Sequence, residues 1–201
     1  CSDNHTTFTL EEGNYNLTFY ANDTFGNLAS ETTNWSYELL EIGRDYKLIV
    51  YETSLNDFEM NYSLQTEGVI QLASLNYDGI KYTGDLEDKG NGSYIISKSI
   101  DIGLVNESLN KSFYWQITYT TPSQKTINTT SRNQTVNPIF FGLCNATYTT
   151  EALNVTLKEE GSFDVINGTL EFSADYWLGS GTIKKPFTYS YLENDINNYN
   201  F

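Results

Sequence analysis

Apolar and polar residues alternate along most of the chain with a period of two. The clearest run is residues 58–65, in which Phe58, Met60, Tyr62 and Leu64 are separated by polar residues. This period is typical of a β-strand with one buried face. Similar runs recur from one end of the chain to the other, and no stretch has a convincing helical period. The sequence therefore predicts an all-β protein.

Residues 13–27 predict a strand, a tight turn and the start of a second strand. Alternation runs through residues 15–22, and residues 23–27 (DTFGN) supply the Asp, Gly and Asn that tight turns favour. A second alternating run covers residues 29–40. We therefore expect a β-hairpin in this part of the chain.

Residues 45–138 contain enough alternating segments for one complete sandwich of seven strands. A two-residue hairpin turn is predicted at residues 77–79 (YDG). The glycines of residues 88–94 (DKGNGSY) tolerate positive φ, so that Tyr94 is expected to enter the core. The predicted strands are 46–53, 58–65, 69–77, 80–83, 93–100, 112–120 and 125–136.

The last part of the chain, residues 139–201, also alternates. Strands are predicted at 153–158, 169–177 and 187–192, with a turn at 177–182 (WLGSGT). We expect a further all-β module here, broken off at the end of the segment.

Two local motifs resemble the immunoglobulin-like sandwich modules that are strung in tandem on archaeal and bacterial surface proteins. The first is the Gly-x-Tyr opening of residues 13–27, followed by apolar alternation and Ala-Asn-Asp. The second is residues 88–94, which are similar to a strand entry of bacterial adhesin domains. The resemblance implies that Tyr15 takes the place of the tyrosine that bonds back to the preceding corner in such sandwiches.

The resemblance also implies how the chain is divided. Residues 1–40 match only the C-terminal part of an immunoglobulin-like domain, 45–138 a complete sandwich, and 139–201 an incomplete third β module. Residues 41–45 (EIGRD) are predicted to be a short linker. Because two strands alone are marginally stable, we expect further domains or neighbouring copies of the same protein to complete the terminal modules.

The charge of the chain limits its partners. Its net charge of −15 comes from 26 acidic and 11 basic residues, and such a field repels nucleic acids and acidic lipid surfaces. We therefore expect no nucleic acid and no membrane contact within this segment. No apolar run reaches the roughly 18 residues of a membrane helix. The aromatic content of 15% also excludes a disordered chain.

Acceptor sites for N-linked glycans are the strongest functional signal. The 22 Asn and 41 Ser plus Thr residues would produce about four or five Asn-x-Ser/Thr sequons by chance, and the sequence contains thirteen. Asn16, Asn61 and Asn154 lie on the polar phase of their strands, and we expect sugar at Asn16 and Asn61 above all. The sequons start at Asn4, Asn16, Asn22, Asn34, Asn61, Asn91, Asn106, Asn110, Asn128, Asn133, Asn145, Asn154 and Asn167.

The two cysteines have no metal-binding or redox spacing and are candidates for disulfides. Cys1 and Cys144 can pair with each other or with residues outside the segment. We favour the second pairing, because their flanks look like two different truncated modules.

Catalytic chemistry has little support in the sequence. The only histidine, His5, lies in a Thr-rich stretch with no nucleophile pattern nearby. A glycosidase needs a carboxylate pair, and nothing singles one out among Glu11, Glu12, Glu159, Glu160 and the other acids. We therefore expect no enzymatic activity and no catalytic residue.

Two ligand sites remain as alternatives. Residues 85–91 (DLEDKGN) cluster three carboxylates beside glycine turns and offer oxygen ligands for a structural calcium ion, although the spacing differs from an EF-hand. Trp177, beside a Gly-Ser-Gly turn, is a candidate for sugar stacking. We otherwise expect no cofactor and no metal.

Together these observations favour a non-enzymatic, extracellular protein of the cell surface. The family resemblance implies a glycosylated, disulfide-bonded building block of a surface layer, stalk or filament with an adhesive role, of archaeal type. The alternative is a receptor- or glycan-binding module such as a viral fibre domain or an adhesin tip. The sequence does not separate these two, because a fold does not determine a function.

Overall fold

A computed structural model describes residues 13–64, 68–191 and 196–201. These residues form sixteen β-strands and no helix, so the predicted all-β fold is confirmed. The described ranges contain no helix that could cross a membrane. The strands are β1 (Gly13–Asn22), β2 (Leu28–Tyr37), β3 (Leu39–Asp45), β4 (Ile49–Tyr51), β5 (Leu55–Leu64), β6 (Val69–Tyr77), β7 (Ile80–Thr83), β8 (Asp85–Gly90), β9 (Ser93–Asp101), β10 (Leu109–Thr121), β11 (Ser123–Asn128), β12 (Arg132–Asn137), β13 (Asn154–Thr156), β14 (Leu170–Tyr176), β15 (Lys185–Tyr191) and β16 (Asn198–Asn200).

The chain divides into two compact units, each assembled from separate stretches of sequence. Unit 1 consists of Cys1–Lys47, Asp57–Ser99 and Lys111–Asn133. Unit 2 consists of Leu48–Asn56, Ile100–Asn110 and Gln134–Phe201. Each unit is described by itself below.

Unit 1 contains a β-sandwich. One sheet has the strand order β3-β5-β9-β8, and in the other β10 pairs with β6, β6 with β7, and β11 with β10. Aromatic rings from both sheets meet in the core: the Phe58 ring of β5 lies 4.9 Å from Phe113 of β10 and 5.6 Å from Tyr77 of β6. These edge-on contacts show that the two sheets pack face to face.

The alternating residues of β5 and β10 form the centre of this core, as their period predicts. Phe58, Met60, Tyr62 and Leu64 are all at most 2% exposed, and Trp115 of β10 is 1% exposed. Burial raises the pKa of the Tyr62 hydroxyl far above its usual range, with the nearby Glu41 charge adding to the rise. The core face therefore stays neutral at any physiological pH.

Positive-φ residues close two hairpins of unit 1 at the places that the sequence predicts. Asp78 (φ 50°) and Gly79 (φ 80°) join β6 to β7. Gly90 (φ 83°) and Gly92 (φ 76°) flank Asn91 between β8 and β9, and Tyr94 follows in the core at 4% exposure. The two turns thus set the register of both strand pairs.

Strands β1 and β2 form the predicted N-terminal hairpin. Asp23 closes it: one carboxylate oxygen accepts hydrogen bonds from the amides of Phe25 and Asn27, and the other accepts one from the Asn27 side chain. These bonds, those of Asn27 first, lower the pKa of Asp23. Tyr15 is half-buried opposite Trp35 in the register of the hairpin.

The predicted linker at residues 41–45 is wrong. These residues belong to β3, which begins at Leu39 and pairs antiparallel with β5, with a register shift between Glu41 and Gly43. The glycine that reads as a break in the sequence therefore lies at an irregularity within a strand, where Gly is common.

Glu38, just before β3, is bound to the opposite sheet of unit 1. Its carboxylate accepts hydrogen bonds from Lys125 Nζ at 2.6 Å and from the Thr121 and Tyr119 hydroxyls at 3.2 and 3.4 Å. The Lys125 bond is the main reason that the pKa of Glu38 is lowered, against the opposing effect of burial.

Unit 2 is built from short strand pairs. Strand β4 runs parallel to β12, and β13 pairs with β16. Strands β14 and β15 pair over seven residues, and every residue of these two strands is half-buried or exposed. Aromatic rings fill its interior, with Phe201 1% exposed and 5.0 Å from Phe172. Of the predicted strands in this part, 169–177 and 187–192 correspond to β14 and β15, whereas 153–158 is shortened to β13.

Candidate functional site

The most unusual polar chemistry in the described chain is a buried corner of unit 2 at Glu52 and Thr53. Both residues follow β4 directly, and both are 0% exposed. A fully buried carboxylate is rare unless it is paired, so the contacts of Glu52 decide what the corner does.

Each carboxylate oxygen of Glu52 accepts a hydrogen bond from a different segment of unit 2. Oε2 accepts from the Val105 amide at 2.8 Å, and Oε1 accepts from the Ile139 amide at 2.8 Å and from Lys185 Nζ at 2.5 Å. Lys185 also donates to the Ile139 carbonyl oxygen at 2.8 Å, and the Tyr176 hydroxyl donates to the same oxygen at 3.3 Å. One side chain therefore joins three distant segments.

These contacts keep Glu52 ionised. Burial alone would raise its pKa, but the Lys185 hydrogen bond, the two amide hydrogen bonds and the Lys185 charge outweigh it, so that the pKa is lowered. A carboxylate that already accepts from three donors has little capacity left for a substrate. Glu52 therefore has a structural role, and we call its cluster with Val105, Ile139 and Lys185 the clamp.

Thr53 reinforces the clamp in a strained conformation. It has φ 61°, which is a genuine outlier for a β-branched residue. Its amide donates to the Ile102 carbonyl at 2.8 Å, and its Oγ1 accepts from the Leu178 amide at 3.0 Å. The surrounding hydrogen bonds hold the unfavourable backbone in place.

The turn at 177–182 closes tightly against the same corner of unit 2. Ser180 donates its amide to Asp101 Oδ1 at 3.0 Å and its hydroxyl to Asp101 Oδ2. A Cβ on Gly179 would lie 2.4 Å from Asp101 Oδ1 and 2.5 Å from the Thr53 carbonyl oxygen, so only glycine fits there. Burial would raise the pKa of Asp101, but the hydrogen bonds from Ser180 and Thr182 lower it.

The structure places the predicted glycosylation sites on the surface. Of the twelve sequon asparagines within the described ranges, eleven are exposed, and Asn4 lies outside those ranges. The exception is Asn61, which is half-buried: its Oδ1 is enclosed without a hydrogen-bond partner, and its Nδ2 lies against Gly43 of the neighbouring strand. Asn61 is thus less accessible than the other sequon asparagines, beside the neighbouring strand β3 of the same sheet.

The hairpin β1–β2 carries sequons on one face. Asn16 and Asn34 are directly opposite each other in the register, and Asn22 lies on the same side of its strand as Asn16. The Thr18 and Thr32 hydroxyls are hydrogen-bonded at 2.9 Å between these sites. One face of the hairpin is therefore polar and carries three acceptor asparagines.

The other predicted ligand sites are less well formed. Asp85 and Asp88 fall on opposite faces of β8, and Asp88 Oδ1 accepts from the Gly90 amide, so these carboxylates do not converge. The described residues contain no group of three or more His, Cys, Asp or Glu side chains suited to a metal ion. Glu159 accepts a hydrogen bond from the Ser162 hydroxyl in its own loop.

The remaining predicted residues have simple positions. Cys144 is a half-buried free cysteine whose amide donates to the Asn200 carbonyl at 2.8 Å. Cys1, His5, Glu11 and Glu12 lie outside the described residues.

Trp177 does not offer an open stacking face on both sides. Lys184 Nζ lies 4.8 Å from the centre of the indole, a cation–π contact. A Cβ on Gly181 would be 3.1 Å from the indole Nε1, so the backbone of the turn approaches the ring closely. The ring is nevertheless 45% exposed.

No protein-family profile and no curated protein matches the chain. The fold and the site therefore define its class: an all-β protein with a sandwich in unit 1, a buried carboxylate clamp in unit 2 and a surface rich in sequons.

Proposed function

We propose that the chain is a non-enzymatic building block of an extracellular assembly, a surface layer, stalk or filament with an adhesive role. In this proposal the sandwich is immunoglobulin-like and the protein is an N-glycosylated surface protein of archaeal type. The observation that carries the proposal is the exposure of eleven sequon asparagines, spread over both units. Glycans at such positions would shield the surface of both units while leaving their cores intact.

The buried clamp also supports a mechanical role. Glu52 joins the segments at Val105, Ile139 and Lys185, so that separating any of them exposes unpaired polar groups. A corner of this kind resists local opening, which suits a module that bears load or resists proteolysis. In the proposed assembly, the partners are neighbouring copies or further domains of the same protein.

Electron microscopy of native material tests the assembly directly. We expect a regular polymer or layer containing this chain, because a building block repeats with a fixed contact between copies. Isolated monomers in native extracts that bind a receptor would contradict this role and favour the alternative of a receptor-binding module.

Glycan occupancy tests the extracellular part of the proposal. We expect native protein to carry sugar at Asn16, so that removal of its N-linked glycans lowers its mass. Asn61 is the matched comparison, and we expect it to carry less sugar because its side chain is half-buried.

Intact-mass measurement followed by peptide mapping distinguishes these outcomes. A native mass that does not change on deglycosylation would refute glycosylation. Equal occupancy at Asn16 and Asn61 would refute the argument from burial.

A further inference from the structure

Unit 2 has a cavity of about 360 Å³ beside the Cys144 segment. The rings of Phe140, Phe141, Tyr148 and Phe201 line it together with hydroxyl-bearing residues that include Thr147 and Thr150. Phe201 is 1% exposed, whereas Phe140 is 62% exposed, so aromatic surface extends from the inner to the outer part of the cavity. No charged side chain lines it.

The inner wall of the cavity is held by an aromatic cluster. Phe141 stacks on Phe201 with ring centres 5.8 Å apart and meets Phe187 edge-on at 4.8 Å. The centre of the Tyr176 ring lies 5.5 Å from that of Phe141. Rings packed in this way have few alternative rotamers, and the wall is therefore formed before any ligand arrives.

The outer wall is held by an Asn-centred turn. Asn145 Oδ1 accepts hydrogen bonds from the Thr147 amide at 2.7 Å and the Tyr148 amide at 3.0 Å. The Asn145 amide in turn donates to the Tyr148 carbonyl at 2.9 Å, and Tyr148 packs against Gly142, whose added Cβ would be 3.6 Å from its ring. Tyr148 is nevertheless 36% exposed.

We propose that this cavity binds a neutral sugar residue of a glycan. Sugars present an apolar C–H face that stacks on aromatic rings and a rim of hydroxyls that hydrogen-bond to groups such as threonine. The lining is uncharged and the whole chain carries a charge of −15, so an acidic sugar would be repelled. Lys185 Nζ lies 5.1 Å from the centre of the Phe140 ring, but it is already paired with Glu52. Small-molecule sites occupy about 300–1,000 Å³, so the cavity takes one or two sugar residues.

The site differs from the predicted stacking residue Trp177, which already contacts Lys184 and Gly181. It goes beyond the proposed structural function, since it requires only the cavity and not an assembly. The sugar has two sources: the glycan of Asn145, whose sequon borders the cavity, or a glycan of another molecule.

Titration of the full chain, made without glycans, tests the proposal. The probes are the methyl glycosides of glucose, galactose, mannose and N-acetylglucosamine, with methyl glucuronide as the acidic comparison, observed by saturation-transfer NMR. We expect at least one neutral glycoside to bind with a Kd of about 1 mM, which is weak but measurable. We expect no binding of the glucuronide.

Substitutions locate the binding. Phe140→Ala and Tyr148→Ala are expected to weaken it at least about tenfold. Trp177→Ala is the matched control and should leave it unchanged. Phe140 is mostly exposed, so its removal spares the core, and an unchanged thermal melt shows that each variant is folded. Failure of all neutral glycosides to bind, or loss of binding only in Trp177→Ala, would overturn the proposal.

Comparison of glycosylated protein with the same protein after removal of its glycans identifies the source of the sugar and keeps Asn145 in place. If the Asn145 glycan fills the cavity, added glycoside binds only to the deglycosylated protein. If the ligand comes from another molecule, both proteins bind it to the same extent. Either result supports the site, whereas binding to neither would contradict it. Because the unglycosylated chain is titrated separately, failure of the site is distinguishable from failure of the proposed glycosylation.

Discussion

Replacing Glu52 by alanine is expected to lower the free energy of unfolding by about 3–5 kcal/mol, the usual cost of removing one partner of a buried ion pair. The substitution removes the acceptor of the Val105 and Ile139 amides and leaves Lys185 without its carboxylate. Buried donors without acceptors keep their full desolvation cost. Urea unfolding of the two proteins measures the difference.

Glu87 is the matched control for this prediction. Its ion pair with Lys89 has the same 2.5 Å separation as that of Glu52 with Lys185, but the Glu87 side chain is 62% exposed and that of Glu52 is 0% exposed. Exposed pairs contribute about 0–1 kcal/mol, so Glu87→Ala should cost little. If both substitutions lower the free energy of unfolding by the same amount, burial does not explain how the clamp stabilises the protein.

The clamp is also expected to make stability depend on pH. The pKa of Glu52 is lower in the folded protein than its unfolded value of about 4.3, so the folded state binds the proton less readily. Its contribution is therefore complete above the unfolded pKa and is lost as the pH falls through the folded pKa.

Glu52→Gln isolates this contribution. The pKa values of the Asp23, Glu38 and Asp101 carboxyls are also lowered, and these groups likewise make stability fall on acidification. They are present in both proteins, so their effect cancels in the comparison. The difference in melting temperature between the two proteins should shrink on acidification below about pH 4. A difference that grows as the pH falls would refute the assignment.

Local patterns predicted most strands of unit 1 because buried and exposed residues alternate along them. Strands β6 and β7 have the predicted bounds, since a two-residue turn at Asp78 and Gly79 leaves no freedom between them. Strand β8 was missed because all its residues are exposed, so it has no buried phase to create a pattern. It lies at the edge of its sheet, where charged residues are common.

The clamp could not be predicted from the sequence, for a different reason. Glu52 and Lys185 are 133 positions apart, and nothing in the neighbourhood of either residue marks the other. The sole local sign is that Glu52 directly follows the apolar residues of β4. Similarly, the alternation of β5 predicts that Asn61 faces away from the core, but it cannot show that the side chain is half-buried there.

The turn between β8 and β9 contains two glycines that look equivalent in sequence but have different surroundings. Both have positive φ, 83° for Gly90 and 76° for Gly92. A Cβ on Gly90 would meet no atom within 4 Å, whereas a Cβ on Gly92 would lie 2.1 Å from the Leu64 carbonyl oxygen. The Gly92 carbonyl also accepts the Leu64 amide at 2.8 Å, so the turn is fastened to the end of β5 at this point.

Gly92→Ala is therefore expected to be far more destabilising than Gly90→Ala. Alanine at either position costs about 1–2 kcal/mol for the left-handed backbone. At Gly92 the clash with Leu64 must also push the turn away and break its hydrogen bond, which adds about 1–3 kcal/mol of strain and about 1 kcal/mol for the bond. Denaturant unfolding of both variants measures the difference in their free energies of unfolding. Equal losses of stability would show that contact with Leu64 does not stabilise the turn.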